Sequence, residues 1–381
     1  LGKGYDYDVC NEEVLLKRLS VKDGKIVLPD GMSYRVLVLP DSTKMPAPVA
    51  QKLRELVQAG ATVIGPKPLT DPGLKNHPQC DEVVKQIGEE LWGGKTGKGR
   101  VFADKTEREV LLADGVLPDF EAKGANDTFI DFIHRTTPEA EIYFLANRKD
   151  RPEKVDAAFR IAGKQPELWN PMTGEQRDLP QFTSANGTTT VPLEFEPNGS
   201  MFVVFRKPAA EAGKGSNFPA LETVQTLEGP WTVQFDKDWF YPATNNTVVF
   251  DKLEDWTLRP EDAVKHFSGT AVYEKEFEFQ PVDGKRHFLD LGTVGHSAKV
   301  RLNGKDLGVA WCKPWRVEIT EALKPGENEL EIEVVNSWPN RLIGDAKLPK
   351  DQRRTRTNIN HYDNPANQTL VPSGLLGPVS I

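Results

Sequence analysis

RVLVLPDSTKMPAPVAQKLRELVQAGATVI, residues 35–64, contains two apolar runs separated by an amphipathic segment. The first run, Arg35–Pro40, is continuously apolar after its first residue, which is typical of a strand that is covered on both faces. Pro46 suits the first turn of a helix, and the apolar residues after it recur at helical spacing until Gly60, a residue that commonly ends helices. Ala61–Ile64 then provides a second strand. The stretch predicts strand, helix and strand, with the two strands parallel.

The same alternation continues towards residue 125. A second amphipathic segment, Val83–Leu91, is followed by Gly93 and by a short third strand, Arg100–Phe102. Alternating strands and helices indicate right-handed crossovers and a parallel sheet. Residues 1–125 are therefore predicted to form a flavodoxin-like α/β domain.

From about residue 126 the hydrophobic period changes to two, which is typical of strands. The segments Val155–Ile161 and Val191–Phe195 alternate in this way, and we expect a small β-sandwich over residues 126–208. Residues 209–220 lack periodicity and are interpreted as a linker. Residues 221–381 return to the period of two, and Asn303-Gly304 is a strong hairpin signal there. The last domain is therefore predicted to be an all-β domain.

Composition limits the partners and the compartment. The chain of 381 residues has a net charge of −8, which argues against general binding of nucleic acid. No run reaches the roughly 18 apolar residues of a membrane span. Three scattered cysteines define neither a disulfide framework nor a zinc site and leave the compartment open; a bacterial source would favour a secreted or periplasmic protein. The basic segment 347–356 is read as a solvated loop or as a patch facing a substrate or partner.

The sequence lacks the motifs that would identify a catalytic site of a common class. The loop Asp41–Met45 lacks the glycines of a flavin-phosphate site, and neither Cys10 nor Cys80 has the glycine-flanked turn of an amidotransferase nucleophile. Glycosidases usually use two carboxylates, but 56 acidic residues offer no basis for nominating a pair. No catalytic residue, metal site or cofactor is predicted, and the residues do not define a calcium site.

Two groups of residues remain as candidates. The first lies at the N-terminus, where Asp8 or Asn11 is expected to cap a helix unless the polar edge faces a neighbouring domain; this candidate domain interface comprises Tyr5, Asp6, Tyr7, Asp8 and Asn11. The second lies in the last domain, which holds six of the eight tryptophans. Aromatic rings stack on sugar C–H faces and polar side chains bind hydroxyls, although core packing is the usual role of a tryptophan. The candidate carbohydrate-binding residues are Trp311, Trp315, Trp338, Asn340, Arg341, Asn358, Asn360 and Asp363.

Several ordered motifs resemble those of glycoside hydrolase family 106, the α-L-rhamnosidases. They include Gly4–Asn11, Leu28–Tyr34, Pro166–Gly174 and Val335–Arg341. The last domain also resembles the galactose-binding-like jelly roll of family 2 glycoside hydrolases.

The resemblance implies carbohydrate as the ligand, and a catalytic (β/α)₈-type barrel upstream that would carry the carboxylates of an inverting hydrolase. No catalytic residue is transferred to a position in this chain. The leading expectation is thus an accessory region of a rhamnosidase-like enzyme that braces the barrel and binds glycan. A free-standing carbohydrate-binding protein is the alternative, and oligomerisation through the α/β domain is a third reading.

Overall fold

The computed structural model describes residues 4–209, 215–243 and 245–381. The chain divides into two compact units. The first comprises Leu1–Leu145, Lys154–Leu193 and Met201–Asn217, and the second comprises Ala146–Glu153, Glu194–Ser200 and Phe218–Ile381. Residues 210–214 of the predicted 209–220 linker lie outside the described residues. Within that predicted linker, Asn217 is buried, and its amide donates to the carbonyl oxygens of Gln181 at 2.7 Å and Pro192 at 3.0 Å.

The N-terminal region is the α/β part of the first unit. Its elements are α1 (Glu12–Arg18), β1 (Ser20–Lys22), β2 (Lys25–Val27), β3 (Ser33–Tyr34), β4 (Val36–Val38), α2 (Ala47–Ala59), β5 (Thr62–Ile64), α3 (Gln79–Trp92), β6 (Arg100–Phe102) and α4 (Glu107–Ala113). The strands β4, β5 and β6 form a parallel sheet in that order, as the sequence predicts. Helices α2 and α3 bury Leu53, Val57, Val84 and Ile87 in one core with Val63.

Residues 120–208 contain nine strands in two sheets. They are β7 (Phe120–Lys123), β8 (Ile130–Thr136), β9 (Glu141–Asn147), β10 (Glu153–Phe159), β11 (Lys164–Trp169), β12 (Gln176–Asp178), β13 (Thr183–Ala185), β14 (Thr188–Phe195) and β15 (Ser200–Pro208). They form a four-stranded sheet, β13-β14-β10-β7, and a five-stranded sheet, β12-β11-β15-β9-β8. Strand β7 precedes residue 126, where the β region was predicted to begin, but it pairs with β10. The sequence did not predict this strand because its four residues are too few to show an alternating pattern.

The C-terminal region contains the largest sheet. Its elements are β16 (Trp231–Phe235), β17 (Thr247–Phe250), α5 (Asp262–Lys265), β18 (Thr270–Phe279), β19 (Phe288–Asp290), β20 (Thr293–Val294), β21 (Ser297–Leu302), β22 (Lys305–Ala310), β23 (Arg316–Glu318), β24 (Gly326–Val335), α6 (Pro339–Ala346) and β25 (Leu375–Gly377). Short 3₁₀ turns occupy Trp256–Leu258, Lys350–Gln352, His361–Asp363 and Pro365–Asn367. Six strands pair in the order β17-β16-β18-β24-β21-β22.

Two features of this sheet follow directly from the sequence. Asn303 and Gly304 have φ angles of 53° and 78° and connect β21 to β22, which confirms the predicted hairpin. The inward residues of β18 and β24 are mostly apolar, and they join Trp231 and Trp256 in one core. The chain is therefore a mixed α/β protein with many β-sheets, and every helix among the described residues is too short or too polar to cross a bilayer.

Candidate functional site

The register of the six-stranded sheet gathers several connections at one end. Thr270 pairs with Val335, Val335 also pairs with Ser297, and Ala298 pairs with Ala310. Phe235 pairs with Ala271. The residues that follow β16, β24 and β22 therefore lie at the same sheet end as those that precede β18 and β21. We call this the tryptophan end, because Trp239, Trp311 and Trp338 lie in these connections.

The three predicted tryptophans have different environments. Trp311 is 61% exposed and Trp338 is 53% exposed. Trp315 is partly buried and packs against the domain core. Trp338 contacts Trp239, which the sequence had not nominated, edge to face with 5.0 Å between ring centroids. Two of the three predicted tryptophans are thus available to a ligand.

Asn340 is buried, and its hydrogen bonds are directed to the protein. Its Nδ2 donates to the Val371 carbonyl at 2.7 Å and to Ser373 Oγ at 2.9 Å, and its Oδ1 accepts from Val371 N at 2.8 Å. Asn336 Nδ2 donates to the same Ser373 Oγ at 3.2 Å. This network joins the start of α6 to residues 371–373, so Asn340 holds the connections of the tryptophan end in place.

Arg341 is also buried and forms an ion pair within α6. Its Nη2 lies 2.9 Å from Asp345 Oδ1, with both side chains at most 4% exposed. Asp345 Oδ2 accepts from the backbone N and the hydroxyl of Thr355, at 2.7 and 2.6 Å. The pair therefore fastens the loop after α6 to the helix.

The remaining predicted polar residues lie in that loop. Asn358, Asn360 and Asp363 are exposed, and Asp363 pairs with Arg353 at 2.9 Å. Asp363 and Asp345 both line a cleft of only about 50 Å³. Among the described residues, none of the three predicted loop residues hydrogen-bonds to a tryptophan side chain. The structure places them on the loop without joining them to the aromatic rings.

The basic segment 347–356 contacts an aromatic turn that sequence reasoning missed. The Arg354 guanidinium lies 4.8 Å above the Tyr241 ring, and its Nη2 donates to the Asp238 carbonyl at 3.2 Å. Lys347 Nζ lies 3.2 Å from His266 Nε2. Burial, followed by the charge of Lys347, lowers the pKa of His266. The run Trp239-Phe240-Tyr241 beside acidic turn residues was the available signal for this surface.

Three of the N-terminal candidates, Tyr5, Asp8 and Asn11, form hydrogen bonds within the chain. Asn11 Oδ1 accepts from Val14 N at 2.9 Å and caps α1, so the capping interpretation is confirmed for Asn11. Asp8 accepts from the Tyr34 hydroxyl at 2.6 Å, and burial, followed by the hydrogen bond to Asp8, raises the pKa of Tyr34 to about 12. The Tyr5 hydroxyl donates to the Val116 carbonyl at 2.8 Å.

The two other N-terminal candidates lie near solvent. Asp6 is 3.8 Å from Arg135 in an exposed ion pair. Tyr7 is 52% exposed, and the neighbouring Val9 is 85% exposed. This segment therefore has apolar side chains that are not buried within the chain.

A charged network in the first unit was not identified from the sequence. His134 Nδ1 lies 2.8 Å from Asp119 Oδ2 and its Nε2 lies 2.9 Å from Glu141 Oε2, while its ring stacks on Tyr143 at 3.9 Å. Burial opposes the charged imidazolium, but the hydrogen bonds to both carboxylates outweigh it and raise the pKa of His134. Arg160 and Tyr143 also contact Asp119. The network joins β8 and β9 to Asp119, which precedes β7, and to Arg160, which follows β10.

Polar side chains also gather at two other places. His77, Cys80 and Asp81 at the start of α3 have ligand atoms within 4.8 Å of one another. Asp81 already accepts from Asp71 N at 2.7 Å. A shallow cleft of about 350 Å³ is lined by Val224, Gln225, Glu278, Phe279, Val282 and His287. None of the predicted carbohydrate-binding residues lines that cleft.

Two family models match the chain. Residues 1–184 match glycoside hydrolase family 106, described as alpha-L-rhamnosidase. Residues 231–369 match the glycosyl hydrolase 2 galactose-binding domain-like family. The resemblances inferred from the sequence motifs are confirmed, and the tryptophan end lies in the galactose-binding-like domain.

Individual proteins resemble the chain to different extents. A rhamnosidase from Novosphingobium sp. PP1Y has 36% sequence identity and a TM-score of 0.86, over 100% of this chain and 36% of that one. The putative beta-glucuronidase of Formosa agariphila is 25% identical over 99% of this chain and 53% of its own length. A beta-glucuronidase from Ruminococcus gnavus matches 29% of this chain and 21% of its own, with 24% identity and a TM-score of 0.25, which is too low to support an argument. The chain is glycoside hydrolase-like and spans about half the length of the curated relative.

Proposed function

We propose that this chain, whose N-terminal half resembles the α-L-rhamnosidases of family 106, is a non-catalytic part of a carbohydrate-degrading hydrolase. In this proposal it braces a catalytic barrel and binds glycan through its galactose-binding-like domain. The observation that carries the glycan-binding role is the exposure of Trp311 and Trp338 at one end of the sheet in that domain. Exposed aromatic rings supply flat apolar surface suited to sugar C–H faces.

The surroundings of the Asp345 and Asp363 carboxylates support a non-catalytic role. Asp345 and Asp363 share a cleft of about 50 Å³, well below the roughly 300–1,000 Å³ of ordinary ligand pockets. Each is also engaged by the protein, Asp345 by Arg341 and Thr355, and Asp363 by Arg353. An inverting glycosidase needs two carboxyl groups roughly 6.5–9.5 Å apart with space for sugar and water. This cleft lacks that space.

The wider cleft supports the same proposal. Its lining residues are one carboxylate, Glu278, together with His287, two glutamines and three apolar side chains. A single carboxylate does not provide the acid and base of an inverting hydrolase.

We also propose a division of the chain into three domains. The proposed domains are a flavodoxin-like domain over residues 1–125, a β-sandwich over residues 126–208, to whose four-stranded sheet the earlier strand β7 also contributes, and a jelly roll over residues 221–381. Ring contacts between the two middle sheets support the sandwich, because Phe159 of β10 lies 4.9 Å from Tyr143 of β9 and 5.2 Å from Phe205 of β15. The two sheets therefore share one aromatic core.

The bracing role is assigned to the N-terminal segment. Tyr7 and Val9 expose apolar side chains beside Asp6 and Asp8, a combination suited to the polar rim and apolar centre of a domain interface. We expect a Tyr7→Ser/Val9→Ser variant to lose association with a separately produced family 106 barrel in sedimentation experiments. Unchanged association would remove this segment from the interface.

The central experiment is a hydrolysis assay of the chain alone on α-L-rhamnosides, paired with calorimetry on oligosaccharides. The proposal predicts no turnover and measurable glycan binding. Turnover by the purified chain would overturn the non-catalytic role. Glycan binding without any association with a barrel would favour the alternative, a free-standing carbohydrate-binding protein.

A further inference from the structure

We propose that the tryptophan end binds a saccharide that carries carboxylate groups, through a surface formed by Trp239, Tyr241, Trp338, Lys347 and Arg354. This inference rests on the proposed glycan-binding function and specifies the chemical class of the glycan. We call these five residues the aromatic–basic surface. Its two components come from separate stretches of sequence that only the fold joins.

A chain of contacts links the aromatic rings of this surface to Arg354. Trp338, at the start of α6, meets Trp239 with ring centroids 5.0 Å apart. Two residues after Trp239, Tyr241 supports the Arg354 guanidinium at 4.8 Å. The hydrogen bond from Arg354 Nη2 to the Asp238 carbonyl, at 3.2 Å, holds the guanidinium on this turn. A planar cation is therefore fixed next to an aromatic platform.

The two cations of this surface lack anionic partners. Within the described ranges, neither Arg354 nor Lys347 forms an ion pair; Arg354 bonds the Asp238 backbone rather than its carboxylate, and Lys347 contacts the His266 imidazole. Arg353, in the same segment, is paired with Asp363. In a chain with net charge −8, one cation seated on an aromatic ring and a second at the far end of α6, both without a carboxylate partner, favour an anionic ligand.

The chemistry of the surface matches a uronate better than a neutral sugar. A guanidinium presents parallel N–H donors that fit the two oxygens of a carboxylate, and such charge-assisted bonds are about twice as strong as neutral ones. The aromatic rings supply the apolar contact that a pyranose face requires. Trp338 and Lys347 lie at opposite ends of α6, about 13 Å apart at 1.5 Å per residue, so we expect an oligosaccharide rather than a monosaccharide.

The test compares two ligands that differ only in charge. Calorimetry is performed with a tetramer of galacturonic acid and with the same tetramer after reduction of its carboxyl groups. The wild-type chain is expected to bind the acidic tetramer at least fivefold more tightly, with affinity falling between 50 and 200 mM salt as for other contacts between exposed charges.

Variants locate the effect on the surface. Arg354→Gln is expected to weaken binding of the acidic tetramer about tenfold while leaving the reduced tetramer unaffected, because only the charge-assisted bond is lost. Lys347→Gln is a second, independent variant should Arg354→Gln fold poorly by circular dichroism. Arg356→Gln, at an exposed arginine of the same segment, is the matched control and should change nothing.

The outcomes separate this inference from the proposed function. Equal binding of both tetramers, or an unchanged affinity in both surface variants, would overturn the inference while leaving glycan binding intact. Absence of binding to the acidic tetramer would overturn the inference, and absence of binding to every oligosaccharide in the central experiment would contradict the proposed function as well. Equal affinity for a sulfated or phosphorylated polymer would show a general anion surface and also reject the assignment to carboxylated saccharides.

Discussion

The indole ring of Trp338 meets that of Trp239 at an angle of 80°, with 5.0 Å between ring centroids. One ring comes from the turn after β16 and the other from the start of α6. Edge-to-face packing of this kind contributes roughly 0.5–1.5 kcal/mol beyond the buried area. It orients the exposed part of Trp338 at the tryptophan end of the sheet.

Replacing Trp338 by Ala should weaken glycan binding about tenfold and lower stability less than the loss of a core ring, because the Trp338 ring is 53% exposed. Affinity is measured by calorimetry and stability by thermal denaturation. Trp315→Ala serves as the matched variant, since Trp315 packs on the core and should lower stability instead. Equal effects of the two variants on affinity would contradict this division.

His134→Gln should destabilise the first unit by about 2–3 kcal/mol near pH 6, through loss of charge-assisted hydrogen bonds to two carboxylates. The pKa of His134 is raised in the folded chain, so its contribution is complete below its ordinary pKa of about 6.5 and is lost as pH rises through the raised value.

The pKa of Asp119 is shifted in the opposite direction. Burial is outweighed by His134, Arg160 and Tyr143, which lower it, so the Asp119 contribution is present above about pH 4 and is lost in acid. Denaturant unfolding of the wild-type and His134→Gln chains at several pH values should show a difference that shrinks in alkaline solution. A constant difference across this pH range would exclude the charged network.

Asp345→Asn should destabilise the C-terminal domain by about 3–5 kcal/mol, because it leaves the buried Arg341 guanidinium without its counter-charge. Tryptophan fluorescence is the suitable probe, since most tryptophans lie in this domain. Glu13→Gln, which breaks the exposed pair of Glu13 and Lys17, should change stability by less than about 0.5 kcal/mol. Similar small effects of both substitutions would show that the buried pair is dispensable.

Glu276→Lys should stabilise the six-stranded sheet by about 0.2–1 kcal/mol, because Glu276 lies directly opposite Glu329 and like charges at paired positions are unfavourable. The gain should diminish in high salt. A double variant, Glu276→Lys/Glu329→Lys, restores like charges and should lose the gain. A stabilised double variant would argue against the register as the cause.

Asn11→Ala should cost about 1 kcal/mol by removing the cap of α1. Hydrogen exchange of the Val14 amide, which Asn11 protects at 2.9 Å, reports the effect directly. Asn11→Ser keeps a capping oxygen and should retain most of the protection. Equal exchange in all three chains would show that the cap contributes nothing to the stability of α1.

The pattern of neighbouring residues in the sequence determined many of the helices, strands and turns of this protein. The alternation of β18 and β24, the Asn303-Gly304 hairpin and the parallel strands β4, β5 and β6 all depend on residues close in sequence, and each was predictable. Asn11 was recognisable as a cap for the same reason. The short strand β7 was not, because its pairing with β10 is a long-range contact.

Only the tertiary structure decided which tryptophans face solvent. Trp256 is completely buried and Trp338 is half exposed, although both lie in connections that have no repeating hydrophobic pattern to distinguish a core ring from a surface one. The tertiary structure also brought Arg354 onto Tyr241 across more than a hundred residues. Burial and charge pairing depend on which distant segments meet, so the sequence by itself determined the elements and their faces, while the fold selected the side chains that remain available to a ligand.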